Sequence, residues 1–178
     1  MHDAAIEWLA GLFPVVSRSG GRVAVMFTDI EGFTSCAATR GDRAALALLR
    51  RHDRAVLPAL RAARARLVKR LGDGLLIAFA EPADALAAAL AMQRAAAHVR
   101  LRIGIHSGAA RLRAGDVVGH DVNVASRIAD RAAGGEILVS DRIRAAAHGL
   151  AVRFRQLRPL VLGARAPIPV FRAKEIAR

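Results

Sequence analysis

The sequence is poor in aromatic residues, in cysteine and in long apolar runs. Aromatic residues are 4% of the 178 residues, with no Tyr and one Trp, so the chain lacks the ring platforms on which single-stranded bases stack. The one cysteine, Cys36, cannot form an internal disulfide, which fits a reducing cytoplasm. Charged residues interrupt every apolar run before it reaches the roughly 20 residues of a membrane span. We therefore predict a cytoplasmic chain with no membrane span.

Acidic residues are scarce relative to basic ones. The chain has 28 Lys and Arg against 15 Asp and Glu, a formal net charge of +13. Such a surplus favours polyanionic partners, nucleic acid among them. The arginines are nevertheless spread along predicted helices, as at Arg50, Arg54 and Arg61, and are not interleaved with aromatic residues. We predict no specific nucleic-acid partner and expect the positive field to attract a polyphosphate substrate.

The order of apolar segments predicts the fold class. Residues 1–20 are predicted to form a short helix and a Ser/Gly-containing linker, and residues 21–178 the main domain. Strand-like and helical segments follow in the order β-α-α-β-β-α-β-α-β, with a terminal hairpin from 152–157 and 168–171. This order predicts an α+β fold with a ferredoxin-like βαββαβ core, its helices packed on one face of a largely antiparallel sheet.

Two aspartates lie at the ends of predicted strands. Asp29 closes the apolar run VAVMFTD, and Asp73 occupies the turn GDG between two short strands. Singly, Asp29 could cap the next turn and Asp73 could be a hairpin residue. Together they suit Mg²⁺, which prefers a few protein oxygens plus phosphate oxygens, and two such ions can activate an attacking oxygen and neutralise a leaving phosphate. The pair indicates nucleotide chemistry.

Five segments in order resemble the class III nucleotidyl cyclases. They are FTDIEGFT at 27–34, VKRLGDG at 68–74, RIGIHSG at 102–108, GDVVG with VNVASR at 115–127, and GEILVS at 135–140. The likeness runs from about Arg22 to Phe171, and the Arg- and Ala-rich composition is similar to that of single-domain actinobacterial members. The resemblance implies that residues 21–178 are a cyclase catalytic domain.

The resemblance also implies a metal site and an assembly. Class III cyclases act as homodimers with two active sites between the subunits. In that scheme Asp29 and Asp73 of one subunit, with the carbonyl of Ile30, hold two Mg²⁺ or Mn²⁺ ions per site. We therefore expect a homodimer with interfacial sites.

Five residues are predicted to bind substrate. The helix start at Gly32, Phe33 and Thr34 offers free backbone N–H groups to phosphate. By resemblance, Lys69 donates to adenine N1 and Asp116 accepts from the 6-amino group. Guanine presents the opposite pattern at both positions, and such buried mismatches are heavily penalised. ATP is the expected substrate, the alternative being a solvated Lys and a turn Asp.

The predicted catalytic residues are Asn123 and Arg127, four apart and hence on one helix face. By resemblance Asn123 orients the ribose and Arg127 neutralises charge on the α-phosphate, which suits an always-charged side chain. Without the motif they would be an exposed helix pair. Family members often carry a terminal-hairpin Lys where this chain has Leu162, and Arg165 or Arg158 could substitute.

The resemblance predicts an adenylate cyclase that converts ATP to 3′,5′-cyclic AMP and pyrophosphate by two-metal in-line attack of the ribose 3′-oxygen. The alternative is a cyclase-like nucleotide-binding or dimerisation module without turnover, which the missing Lys favours. Outside the motifs, His52 and Asp53 are predicted on a helix surface, and His106 is predicted to be a hydrogen-bonded structural histidine. Ser107 and Gly108 are expected to mark a bend or a bulge.

Overall fold

A seven-stranded sheet organises the chain in the computed structural model, which describes residues 22–113 and 116–176. The predicted helix and linker at 1–20 lie outside the described residues. The strands are β1 (Arg22–Ile30), β2 (Arg66–Leu71), β3 (Gly74–Phe79), β4 (Leu101–Ala109), β5 (Arg111–Arg113), β6 (Asp116–Val118), β7 (Ile137–Ser140), β8 (Val152–Gln156) and β9 (Val170–Glu175). The helices are α1 (Phe33–Ala62), α2 (Pro82–Ala95), α3 (His120–Ala129) and α4 (Asp141–Ala145). In the described ranges, no helix has the length and apolarity to cross a bilayer.

The strand order confirms the predicted α+β class. The sheet runs β2-β3-β1-β4-β7-β9-β8, and only β4 and β7 pair in parallel. Its first four strands, with α1 and α2, form the βαββαβ core, while β5 and β6 make a separate two-stranded ribbon. The terminal hairpin is also confirmed, although its second strand begins at Val170, and Ile168 forms only an isolated bridge with Leu160.

Helices pack on both faces of the sheet, and not on one alone. α1, α2 and α4 cover the first face through one continuous core that includes Met26, Leu60 and Ile143. α3 packs on the opposite face, where Val122 contacts the cluster around Val25. Neighbouring strand residues such as Val25 and Met26 point to opposite faces, so they join different clusters. We call these the helix-covered face and the α3 face.

Glycine lets the β2–β3 hairpin approach β1 closely. A Cβ atom on Gly74 would lie 2.1 Å from the carbonyl oxygen of Thr28, so a larger residue would separate the two strands. Gly72, with φ 63°, supplies the left-handed conformation of the two-residue turn. Asp73 is the other turn residue, and the hairpin therefore carries it to the end of β1.

The predicted bend or bulge at Ser107 and Gly108 is wrong, because β4 continues to Ala109 and pairs with β1 there without a register shift. A Cβ atom at Gly108 would lie 2.2 Å from the carboxylate of Asp121 on α3. Asp121 accepts a hydrogen bond from the Ala109 N–H at 2.6 Å. Glycine is required here by the close approach of a helix to the strand.

Candidate active site

The structure brings Asp29 and Asp73 together at one edge of the sheet. β1 lies beside β3, and an Asp73 carboxylate oxygen accepts a hydrogen bond from the Ile30 N–H at 3.1 Å. The buried hydroxyl of Thr28 accepts a second bond, from the Leu75 N–H at 3.2 Å. These two bonds fix the hairpin against the end of β1, so two acidic residues 44 positions apart become neighbours.

Arg102 is a site residue that the sequence reasoning missed. It lies directly opposite Asp29 in the β1–β4 register, and its guanidinium forms an ion pair with the Asp29 carboxylate. Both side chains are about one-third exposed, so solvent can reach the pair and another cation can compete for Asp29. Asp29 and Arg102 line an open cavity of about 370 Å³ with Ser126 of α3 and with Asp130, which directly follows that helix.

The donor set at Asp29 and Asp73 fits a hard divalent cation. Mg²⁺ usually binds one or two carboxylates and completes its shell with water and substrate phosphates. Within residues 22–113 and 116–176, no three His, Cys, Asp or Glu side chains converge to form a complete metal cage. The nearby Glu31 is engaged by Arg100 at 2.7 Å and by the Gly134 N–H at 2.8 Å. Asp29 and Asp73 therefore offer two neighbouring carboxylates that could bind a cation shared with a phosphate ligand.

Lys69 and Asp116, 47 residues apart, meet on the α3 face. Lys69 Nζ lies 2.5 Å from Asp116 Oδ2, with the side chains 44% and 38% exposed. The second Asp116 oxygen accepts the Val117 N–H at 2.8 Å. The hydrogen bonds from Lys69 and Val117 lower the pKa of Asp116, so its carboxylate is ionised at neutral pH. This edge of the site presents one donor and one acceptor side by side.

Asn123 and Arg127 occupy the exposed side of α3, as their spacing predicted. They line an open cavity of about 750 Å³ with His120, Ser126 and the segment that contains Leu162 and Arg165. Arg127 Nη1 is 3.3 Å from Asp130 Oδ2, and both side chains are more than half exposed. Such a surface pair is weak, which leaves the guanidinium able to bind an anion. Leu162 lies where the family-like Lys was expected, and Arg165 adds a cation to the same cavity.

The start of α1 has an uncapped backbone. Gly32 precedes the helix in the left-handed conformation, with φ 78°, and no side chain of the described ranges caps the first turn. Cys36 N–H donates the first helical bond, to the Gly32 carbonyl at 2.8 Å. The side chain of Phe33 packs against the core, whereas Thr34 is exposed. Gly32, Phe33 and Thr34 can therefore offer backbone N–H groups to an anion.

The predicted surface position of His52 and Asp53 is wrong, because both side chains are buried. His52 Nδ1 lies 2.9 Å from Asp53 Oδ1, and Arg70 of β2 also contacts Asp53. The prediction failed because the cation that accompanies Asp53 into the interior comes from a distant strand. The hydrogen-bonded role of His106 is confirmed, since its Nε2 lies 3.3 Å from Asp121.

Residues 15–168 match the sequence model of the adenylate and guanylate cyclase catalytic domain, so the chain belongs to this family. An adenylate cyclase of Streptomyces coelicolor is 34% identical over 122 residues, which are 66% of this chain and 32% of that protein. The crystal structure of an adenylate/guanylate cyclase/hydrolase from Silicibacter pomeroyi is 28% identical, with a TM-score of 0.77 over 88% of this chain and 98% of that one.

A second solved structure agrees in fold alone. The adenylyl cyclase CyaB from P. aeruginosa, at 20% identity, has a TM-score of 0.76 over 88% of this chain and 95% of that one. Across eight curated relatives, the matched region spans between 16% and 39% of the relative's length. The chain therefore spans well under half the length of each of these curated relatives.

Proposed function

We propose that this cyclase domain is an adenylate cyclase, which converts ATP to 3′,5′-cyclic AMP and pyrophosphate. The observation that carries the proposal is the contact between Lys69 Nζ and Asp116 Oδ2 at 2.5 Å. An ammonium donor beside a carboxylate acceptor complements adenine N1 and the adenine 6-amino group. Guanine offers a donor at N1 and an acceptor at O6, so both contacts would fail. Adenine would enter by replacing the mutual ion pair with one hydrogen bond to each partner.

Asp29 and Asp73 would hold the divalent ions, with the Ile30 carbonyl as a further ligand. When bound, Mg²⁺ or Mn²⁺ would polarise the attacking 3′-oxygen and neutralise charge on the triphosphate. Arg102 would have to release Asp29, which is feasible because the pair is partly exposed. The backbone N–H groups at Gly32, Phe33 and Thr34 would bind phosphate oxygens beside these carboxylates. All of these contacts position the triphosphate for in-line attack.

Asn123 and Arg127 would act on the ribose and the α-phosphate. The reaction forms a bond between the 3′-oxygen and the α-phosphorus and breaks the bond to pyrophosphate. Asn123 would orient the ribose ring, and the Arg127 guanidinium would neutralise charge that builds up on the α-phosphoryl oxygens. Positioning and charge stabilisation would supply most of the catalysis.

The active site is proposed to be shared across a homodimer. In one chain, Asp29 lines the cavity of about 370 Å³ whereas Asn123 and Arg127 line the cavity of about 750 Å³. The two cavities meet at Ser126, which lines both. We infer that one subunit contributes the carboxylates and that its partner contributes Asn123, Arg127 and the adenine-binding pair, Lys69 and Asp116.

A cyclase-like module without turnover is the second candidate function. It is favoured by Leu162, an apolar residue lining the cavity where a cation for the terminal phosphates was expected. Arg165 lines the same cavity, however, and makes no ion pair with the described residues. We assign to Arg165 the binding of the terminal phosphates. This assignment favours an active cyclase over the cyclase-like module without turnover.

A mixing experiment tests activity and site sharing together. Purified Asp29→Ala and Arg127→Ala chains should each be inactive with Mn²⁺ and ATP. In a dimer of one Asp29→Ala chain and one Arg127→Ala chain, one shared site contains both substitutions and the other contains neither. Cyclic AMP production should therefore partly return. Proven heterodimers that make no cyclic AMP would refute the shared site. An unsubstituted chain that binds ATP but is inactive would support the cyclase-like module without turnover.

A further inference from the structure

Lys69 and Arg70 are consecutive cations on β2 that face opposite sides of the sheet. Lys69 meets Asp116 on the α3 face, whereas Arg70 reaches α1 on the helix-covered face. One Arg70 nitrogen, Nη2, contacts both carboxylate oxygens of Asp53 at 2.8 Å. Arg70 and Asp53 are only 22% and 11% exposed, and the adjacent His52 side chain is fully buried.

A β-bulge at Val68 permits this arrangement. Leu67 lies opposite Ile77, and the next paired residue, Lys69, lies opposite Leu76, so Val68 has no partner in the register. Ile77 belongs to the core of the helix-covered face, and Leu76 belongs to a cluster of the α3 face. The extra residue therefore places Leu67 and Lys69 on different faces, although residues two apart normally share one.

The apolar pattern of β2 favours a different register. If the strand alternated regularly from Leu67, then Lys69 and Leu71 would face the helices, and Arg70 would project onto the α3 face. That register would cover Leu71, which is 42% exposed in the structure, but it would remove Lys69 from Asp116. Something other than apolar burial must hold Arg70 on the helix-covered face.

The two-residue turn at Gly72 and Asp73 opposes this slip at one end of β2, and the Asp53 cluster opposes it through Arg70 itself. Burial works against ionisation of Asp53, but hydrogen bonds from His52 and Arg70 outweigh it and lower the pKa of Asp53. Among the described residues, His52 Nε2 and Arg70 Nη1 are buried without hydrogen-bond partners. Buried ion pairs add little net stability, and a cluster with two unsatisfied nitrogens adds less. Selection of one strand register is a better explanation for it than stability.

We propose that Asp53 is a positioning residue for nucleotide selectivity: by binding Arg70 on the helix-covered face, it fixes the register that presents Lys69 beside Asp116. The inference rests on the proposed function for the role of Lys69 in reading adenine. The placement of Lys69, however, can be measured without nucleotide and without activity.

The chain makes this measurement simple, because Lys69 and Lys174 are its only lysines. Reductive methylation with ¹³C-formaldehyde gives two dimethyl-lysine NMR signals, and Asp116→Asn identifies that of Lys69. Asp53→Asn should move the Lys69 signal towards its position in Asp116→Asn and leave the Lys174 signal unchanged. Asp42→Asn, the same change at an exposed position of α1, is the matched control and should move neither.

A charge-neutral double variant, Asp53→Asn with Arg70→Gln, keeps the test decisive if Asp53→Asn does not fold. It leaves no buried charge unpaired, and it too should displace the Lys69 signal. A wild-type Lys69 signal in either folded variant overturns the proposal.

Steady-state kinetics of Asp53→Asn with ATP and GTP test the proposed role of Asp53 in nucleotide selectivity. Loss of one charge-assisted hydrogen bond should raise KM for ATP and lower the preference for ATP over GTP by about tenfold, with a smaller change in kcat. A displaced Lys69 signal with unchanged preference in an active enzyme overturns the role in selectivity. If the wild-type chain makes no cyclic AMP, the proposed function fails, whereas the NMR result still decides the register.

Discussion

The two faces of the sheet differ in how completely they are covered. On the helix-covered face, three helices and the strands share one continuous core, and the charged pair found there is mostly buried. On the α3 face, one ten-residue helix packs over two smaller clusters. The exposed pair Lys69–Asp116 and the exposed Asn123 and Arg127 lie on this side. The difference suggests that the first face supplies stability and that the second is left open for a ligand and a partner.

The largest expected effect comes from the carboxylates beside the α3 face. Asp29→Asn and Asp73→Asn should each lower cyclic AMP production by on the order of 100-fold or more, because each removes a carboxylate charge that we propose holds a divalent ion. Mn²⁺ binding followed by electron paramagnetic resonance should weaken in parallel. Asp42→Asn serves as the control, and unchanged Mn²⁺ binding in both site variants would contradict the assignment.

The apolar core of the helix-covered face, unlike the Asp53 cluster, should respond in stability alone. Leu60→Ala removes a fully buried side chain from the helix-covered core and should lower the free energy of unfolding by about 2–5 kcal/mol. The exposed Leu46→Ala on the same helix should change it by less than about 0.5 kcal/mol. Urea denaturation measures both values. A change in ATP affinity in folded Leu60→Ala would contradict the proposal that this core serves stability and that the α3 face serves ligand binding.

Substitution of the adenine-binding pair should alter selectivity with little loss of stability. Lys69→Gln removes an exposed cation, so we expect a fall in ATP preference over GTP of about tenfold. Competition between the two nucleotides in a binding assay measures the ratio, and Lys174→Gln is the matched control. An unchanged ratio in Lys69→Gln would rule out adenine reading by this side chain.

The smallest expected effect is a pH dependence at His106, between β4 and α3. Burial lowers its pKa below 6.5, and Asp121 and Asp141 oppose this while Arg142 adds to it. The unfolded chain then takes up the proton first as the pH falls. Stability present above about pH 6.5 is therefore lost as the pH drops towards the lower folded value. His106→Gln should show a flatter dependence in denaturation series from pH 7.5 to 5, and equal slopes would contradict this.

The sequence predicted most of the fold because its signals are local. The strand at the run that ends at Asp29 and the turn at Gly-Asp-Gly each appear where they were expected. The four-residue spacing of Asn123 and Arg127 also placed both on one exposed helix face. These features depend on residues within a turn or two of one another, so backbone preference and apolar period suffice.

Several non-local contacts were decided by tertiary structure alone. Arg102 pairs with Asp29 because the β1–β4 register places the two residues opposite each other. Gly108 is required because α3, which begins twelve positions later, approaches β4 closely at this point. The same limit explains why His52 and Asp53 looked like surface residues, since their partner Arg70 lies on a separate strand.

The amino-acid sequence by itself thus determined the kinds of groups in the proposed site: two carboxylates, a lysine with an aspartate, and an asparagine with an arginine. Only the folded molecule decided which side each group faces, because the bulge at Val68 places Lys69 on the α3 face and Arg70 on the helix-covered face, the reverse of regular alternation from Leu67. Composition and spacing encode local preference. The choice between registers depends on contacts such as Asp53 with Arg70, which exist only after distant segments have packed together.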